Sequence, residues 1–203
     1  MPIKVYPERM NYLQRMLEEL PAVTDPSKYR TMLRIDQQWV EGNISRTVLG
    51  GPKHFTKDTV ELIADERAES TGSGAGPSPA HYFMTGFGAS LVTQWGRASA
   101  VLNVPIDSLT QEINAWFDRR GEYLYELGWP HKGWEEITFI VRIESPASRA
   151  QVLEFAKWSD RSPPVATMRR AVRLVGRFYL NGQHLTTIIY HPDRLEFRDS
   201  GVA

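Results

Sequence analysis

Residues 76–102 read GPSPAHYFMTGFGASLVTQWGRASAVL, and the fold turns on this stretch. Ser78 offers an N-cap oxygen and Pro79 takes the first helical position, where a missing N–H does no harm. The next proline is Pro105, so a helix can run for about six turns. Gly86, Gly88, Ala89 and Ala100 keep it slim, while Phe83, Phe87, Leu91 and Trp95 recur at every fourth position. Small and apolar residues on several faces predict a buried helix, packed against another helix at the centre of the domain.

Downstream the period changes. Leu109, Ile113, Ala115 and Phe117 share one side of a strand that Gln111 interrupts and Asp118-Arg119-Arg120-Gly121 ends. Ile137, Phe139, Val141 and Ile143 alternate cleanly in a second strand. Ser145-Pro146 predicts a helix over about 147–158 with Val152, Phe155 and Ala156 inward. Ser162-Pro163-Pro164 breaks it, and a short helix follows through Val165 and Met168. Val172–Leu180 and His184–Tyr190 flank Asn181-Gly182, the strongest short hairpin signal. Residues 122–133 carry Tyr123, Tyr125, Trp129 and His131 without a regular period.

Upstream, Tyr12, Leu13, Met16, Leu17 and Leu20 predict a helix over about 7–20, with Asp25-Pro26-Ser27 as a turn. Residues 1–28 therefore read as a helical extension and linker, and 29–203 as the domain. From Arg30, Thr31, Leu33, Ile35, Gln37 and Trp39 alternate as a strand with one buried face. Gly42-Asn43 turns into a strand over Ile44–Leu49, and Phe55–Ile63 gives a third. The glycine-rich stretch Asp65–Gly76 reads as a mobile loop feeding the helix, either bordering a site or simply connecting. The element order implies an α+β fold.

Lys plus Arg and Asp plus Glu number 24 each, so net charge is zero and no general attraction to nucleic acid or anionic membrane is expected. No apolar run approaches the length of a membrane helix and no signal-peptide core opens the chain, which predicts a cytoplasmic protein. The sequence contains no cysteine, which excludes disulfides, thiolate nucleophiles and thiolate metal sites.

Gly76-Pro77-Ser78-Pro79, Gly88-Ala89-Ser90, Asp118 with Arg120-Gly121, and Ser162-Pro163-Pro164-Val165 follow one another in an order and spacing that resembles the OsmC/Ohr family, the osmotically inducible and organic hydroperoxide resistance proteins. The likeness spans about Arg30 to Tyr190. It implies a long central helix wrapped by antiparallel sheets, an intertwined homodimer and a pocket at the dimer interface. In that family one cysteine attacks a hydroperoxide, a second resolves it, and a glutamate and an arginine position the peroxide. Here the first cysteine corresponds to Ser90, the second falls on Pro163 and the glutamate on Ala80; Arg46 corresponds loosely to the arginine. Thiol peroxidase chemistry is therefore the least favoured function. A serine hydroxyl without a base is a poor nucleophile and forms neither sulfenate nor disulfide.

What remains is non-redox action on a small, largely apolar organic molecule, by hydrolysis or proton transfer, with Ser90, His81 and Arg46 as candidate catalytic residues. The alternative is a non-catalytic ligand-binding or stress-related interaction protein of the same fold. His81, near a helix N-terminus, suits a neutral imidazole, or it simply caps the helix. It lies nine residues from Ser90, half a turn out of phase, so the two form no pair within one subunit. Phe83, Phe87, Ser90, Gln94 and Arg97 fall on one helical stripe, an aromatic-walled pocket or a dimer seam. With Trp129, Phe83, Phe87 and Gln94 are the candidate ligand contacts. The histidines lack metal-ligand spacing, so no metal is expected, and no cofactor fingerprint is present.

Overall fold

The computed structural model describes residues 18–19, 22, 25, 35–49, 59–120, 124–128 and 133–198. These fall into two compact units, one within Leu17–Gly86 and one within Phe87–Ala203. The expected boundary at 28/29, most of the expected N-terminal helix and the first part of the expected first strand lie outside the described residues.

The first unit holds a three-stranded antiparallel sheet in the order β1-β2-β3, formed by Gln37–Glu41, Ile44–Leu49 and Val60–Ala64. Gly42 adopts a φ of +47° in the tight turn between β1 and β2, a conformation glycine enters without steric penalty. Over its described residues, the first strand does not show the expected buried face. Every residue of β1 is exposed, Trp39 at 78%, and its indole N–H donates to the Gly42 carbonyl at 2.8 Å.

The stretch after β3 is no slack loop. The Asp65 carboxylate is buried, 1% exposed, and accepts from the backbone N–H groups of Glu66, Ser73 and Ala75 and from the Ser73 hydroxyl, at 2.7–3.0 Å. These bonds, the Ala75 amide foremost, hold its pKa down at about 2. Asn43 ties the same loop to the β1–β2 turn by donating to the Thr71 carbonyl and hydroxyl.

Helix α1, Pro79–Val101, starts in the first unit and continues through the second. Its N-terminus follows the sequence signals: Ser78 Oγ accepts, at 3.5 Å, from the His81 backbone N–H. It buries Phe87, Gly88, Leu91, Gln94, Trp95, Ala98 and Ser99, whereas Ala89, Val92, Thr93, Gly96 and Arg97 are exposed. The helix is therefore one-sided in this chain rather than enclosed.

The second unit is built on a five-stranded sheet in the order β4-β5-β6-β7-β8. Its strands are Ser108–Phe117, Trp134–Glu144, Arg173–Leu180, Gln183–Tyr190 and Leu195–Arg198. Pairing is antiparallel except between β5 and β6, which run parallel. A parallel pair needs a long crossover, supplied by α2 (Arg149–Lys157), a 3-10 turn (Trp158–Arg161) and α3 (Pro163–Met168). The alternation seen in β5 is realised fully, since Ile137, Phe139, Val141 and Ile143 are all inaccessible to solvent.

Aromatic packing joins the layers. Trp95 of α1 stacks on Phe155 of α2 at 5.4 Å and meets Phe178 of β6 edge-on at 5.7 Å. Phe139 touches Phe87, Phe178 and Tyr190 at 5.6–6.2 Å. Each tilted or edge-on pair adds about 0.5–1.5 kcal/mol beyond the area it buries. The helix expected over about 147–158 runs over Arg149–Lys157: Ser148 forms the capping box with Gln151, and the Ser145 hydroxyl just before it donates to the Pro105 carbonyl at 2.6 Å.

Candidate functional site

Ser90 sits on α1, half-buried, at the rim between the buried and exposed faces. Its Oγ lies 3.0 Å from the Oγ of Ser162, 72 residues along the chain. Ser162 is inaccessible to solvent and caps α3, where its Oγ accepts from the Val165 N–H at 3.5 Å. In the sequence Ser162 stands out as part of a helix-breaking Ser-Pro-Pro and of the Ser162-Pro163-Pro164-Val165 resemblance motif, not as a partner of Ser90. The usable signal was the serine directly before two prolines and an apolar turn, which places its oxygen at a cap.

The remaining candidates of this unit divide. Phe87 is 1% exposed and packs its ring on Phe139, so its side chain belongs to the core of the second unit. Gln94 is 4% exposed. Arg97 is exposed. The helical stripe thus runs from solvent through the core edge and back, with Ser90 as its accessible hydroxyl. Trp129 lies outside the described residues.

His81, Phe83 and Arg46 belong to the first unit. His81 is exposed, and its Nδ1 is 2.7 Å from the Ser78 hydroxyl. Ser78 Oγ therefore meets both the backbone N–H and the ring of His81 at the start of the helix. Arg46 on β2 is exposed and makes an ion pair with Glu61 of β3 at 2.6 Å. The hydrogen bond from Arg46 holds Glu61 below the ordinary carboxylate range. Phe83 is 45% exposed.

Beneath the crossover lies a buried polar cluster. Ser159 donates to the Ala156 carbonyl at 2.7 Å and contacts the Tyr190 hydroxyl, whose pKa burial pushes far up. Asp160 pairs with Arg169 alongside. These contacts fix the 3-10 turn to β7 and α3. No group of three or more metal-ligating side chains occurs among the described residues.

Chemically, the partner of Ser90 among the described residues is a hydroxyl and not a base. Acyl transfer by serine needs an imidazole, amine or carboxylate within reach of the hydroxyl, and the contact recorded for Ser90 is another serine.

No family model and no curated protein sequence matches the chain. Solved structures do. An OsmC-like protein from Mycoplasma pneumoniae superimposes with a TM-score of 0.59 at 18% identity, covering 74% of this chain and 97% of that one. A putative osmotic stress induced and detoxification response protein from Psychrobacter arcticus gives 0.56 at 12%, covering 75% and 98%. An organic hydroperoxide resistance protein OsmC from Legionella pneumophila gives 0.50 at 14%, covering 74% and 98%. The chain has the OsmC-like α+β fold, built without cysteine. None of its described helices is long and apolar enough to cross a membrane.

Proposed function

We propose that this chain binds a small, largely apolar organic molecule without redox chemistry, as a homodimer with the pocket at the subunit interface. The observation that carries the reading is the Ser90–Ser162 pair. At the helical position where the resemblance puts a reactive thiol, a hydroxyl meets a second hydroxyl 3.0 Å away. That arrangement can orient a polar group of a ligand. It supplies neither a thiolate nor a base.

Self-association is supported within each unit. A three-stranded sheet is marginal without a covering layer, and here Trp39, Val40 and Val60 lie 46–78% exposed on it. In the second unit the exposed side of α1 presents Ala89, Val92, Thr93 and Gly96, small or apolar side chains that let another helix approach closely. Light scattering coupled to size exclusion tests this: a mass near twice 23.2 kDa is expected.

The functional test has two arms. Native mass spectrometry of protein purified from cells should reveal a non-covalently bound organic molecule. Cumene hydroperoxide with dithiol reductant should disappear only at the background rate, and rapid reductant-coupled loss would end the non-redox reading. The catalytic form of the proposal, with Ser90, His81 and Arg46 as participants, is carried by turnover of an ester, lactone or ketone that Ser90→Ala and His81→Ala abolish. His81 held by Ser78 and Arg46 paired with Glu61 weigh toward binding.

A further inference from the structure

The protons of the serine pair can be assigned by accounting. Ser162 Oγ is wholly buried and one of its lone pairs accepts from the Val165 N–H. Its own O–H then needs an acceptor, and the recorded contact that offers one is Ser90 Oγ. In the reverse arrangement Ser90 donates to Ser162 and leaves a buried O–H unsatisfied, which carries a free-energy penalty. Ser162 therefore donates and Ser90 accepts. The Ser90 proton is left over. Thr93, one turn on, donates its hydroxyl back to the Ala89 carbonyl at 3.0 Å, whereas no such back-bond forms at Ser90 among the described residues. Ser90 is half-buried, so this proton faces whatever occupies its surroundings.

We propose that Ser90 is a hydrogen-bond donor fixed by Ser162, and that the site selects apolar molecules carrying one acceptor oxygen, such as a ketone, ester or amide carbonyl, over hydrocarbons of the same shape. This rests on the binding reading above and deepens it by naming the ligand class. Selectivity follows because, in the ligand site of that binding reading, the Ser90 O–H stays unpaired when a hydrocarbon takes the place of a carbonyl compound. Free rotation of the hydroxyl would weaken that preference, and the buried bond from Ser162 restrains it.

The probes are acetophenone and ethylbenzene, equal in ring and carbon count and differing in the carbonyl. Dissociation constants come from ligand-observed NMR titration of the full chain, with a thermal melt of each variant as the folding control. Wild type should bind acetophenone more tightly. Ser90→Ala should weaken acetophenone about fivefold, one neutral hydrogen bond's worth, with ethylbenzene unmoved, and Ser90→Thr should restore it. Ser162→Ala should erode the preference for acetophenone while ethylbenzene again holds. If ethylbenzene and acetophenone bind equally, or Ser90→Ala shifts both alike or neither, the donor assignment is wrong and the pocket survives. Failure of both probes to bind wild type overturns the pocket and this inference together.

Discussion

Gln111 of β4 donates its Nε2 to the Gly88 carbonyl of α1 at 2.8 Å, and the same amide's oxygen accepts from the Trp95 indole at 3.5 Å. The residue that interrupts the apolar side of β4 is thus the polar clamp between strand and helix. Gly88 permits the approach: a Cβ there would stand 2.7 Å from Ile113 Cδ1 and 3.0 Å from Gln111 Nε2. Gly88→Ala gains about 1 kcal/mol in helix propensity, but overpacking costs typically 1–3 kcal/mol, so we expect a net loss of stability. Ile113→Val deletes the nearer atom, so the double variant should recover part of the loss. Urea unfolding decides it, and a Gly88→Ala protein as stable as wild type refutes the close-contact account.

Gln111→Leu completes the apolar run and would look like an improvement from sequence. It removes the bond to Gly88 and the acceptor for Trp95, which is only 3% exposed. A loss of about 1–2 kcal/mol is expected, read from the same unfolding curves. Stabilisation would show that shape, not the amide, matters here.

These residues also mark where sequence stopped being informative. Period-two alternation in β5, the Asn181-Gly182 turn and the Ser78-Pro79 helix start are local patterns, and the structure realises each. Gln111, Ser162 and Asp65 act through partners that a linear pattern does not display: a helix carbonyl, a hydroxyl 72 residues away and backbone amides of a loop. The first strand failed for another reason. Alternation says that a strand has two faces, but not what covers them, and in this chain neither face of β1 is covered. The four-residue β8 is too short to show a period, and the parallel β5–β6 pair follows from where the crossover helices lie, not from either strand's composition.

Asp65 makes the loop pH-sensitive in one direction. Its carboxylate is held at about 2 in the folded state against 3.8 otherwise, chiefly by the Ala75 amide and the Ser73 hydroxyl. A depressed pKa contributes stability that is fully present above about pH 4 and fades as pH falls toward 2. Amide exchange at Ser73 and Ala75, corrected for intrinsic rates, should therefore accelerate across that window in wild type. Asp65→Asn should show the faster exchange at neutral pH, with no further transition on acidification. Gly72→Ala should act similarly, because its Cβ would meet the Glu66 carbonyl oxygen at 2.1 Å. Unchanged protection of Ala75 in Asp65→Asn would mean the loop is held by something else.

Arg46 and His81 can be separated from any catalytic role by stability and turnover together. The Arg46 and Glu61 side chains are 43% and 48% exposed, His81 is exposed and its partner Ser78 is half-buried. Arg46→Ala should leave the melting temperature within error, as expected for a solvent-screened pair. Ser78→Ala should lower stability by about 1 kcal/mol through the lost cap. If Arg46→Ala or His81→Ala abolishes turnover of a substrate with folding intact, the binding reading gives way to catalysis.

The hydroxyl pair offers a direct check on the crossover geometry. With oxygens 3.0 Å apart, Ser90→Cys together with Ser162→Cys places two sulfurs within reach of a bond under mild oxidation, given a small rotamer adjustment. The closed loop would contain roughly 70 residues, for which chain-entropy arguments give about 4 kcal/mol of stabilisation less any native strain. Because no other cysteine is present, thiol titration should fall from two to zero on oxidation, and a reductant-sensitive rise in melting temperature should accompany it. Two thiols that stay free in the folded double variant would place Ser90 and Ser162 farther apart than hydrogen-bond distance. The same result would remove the buried acceptor–donor order on which the ligand selectivity depends.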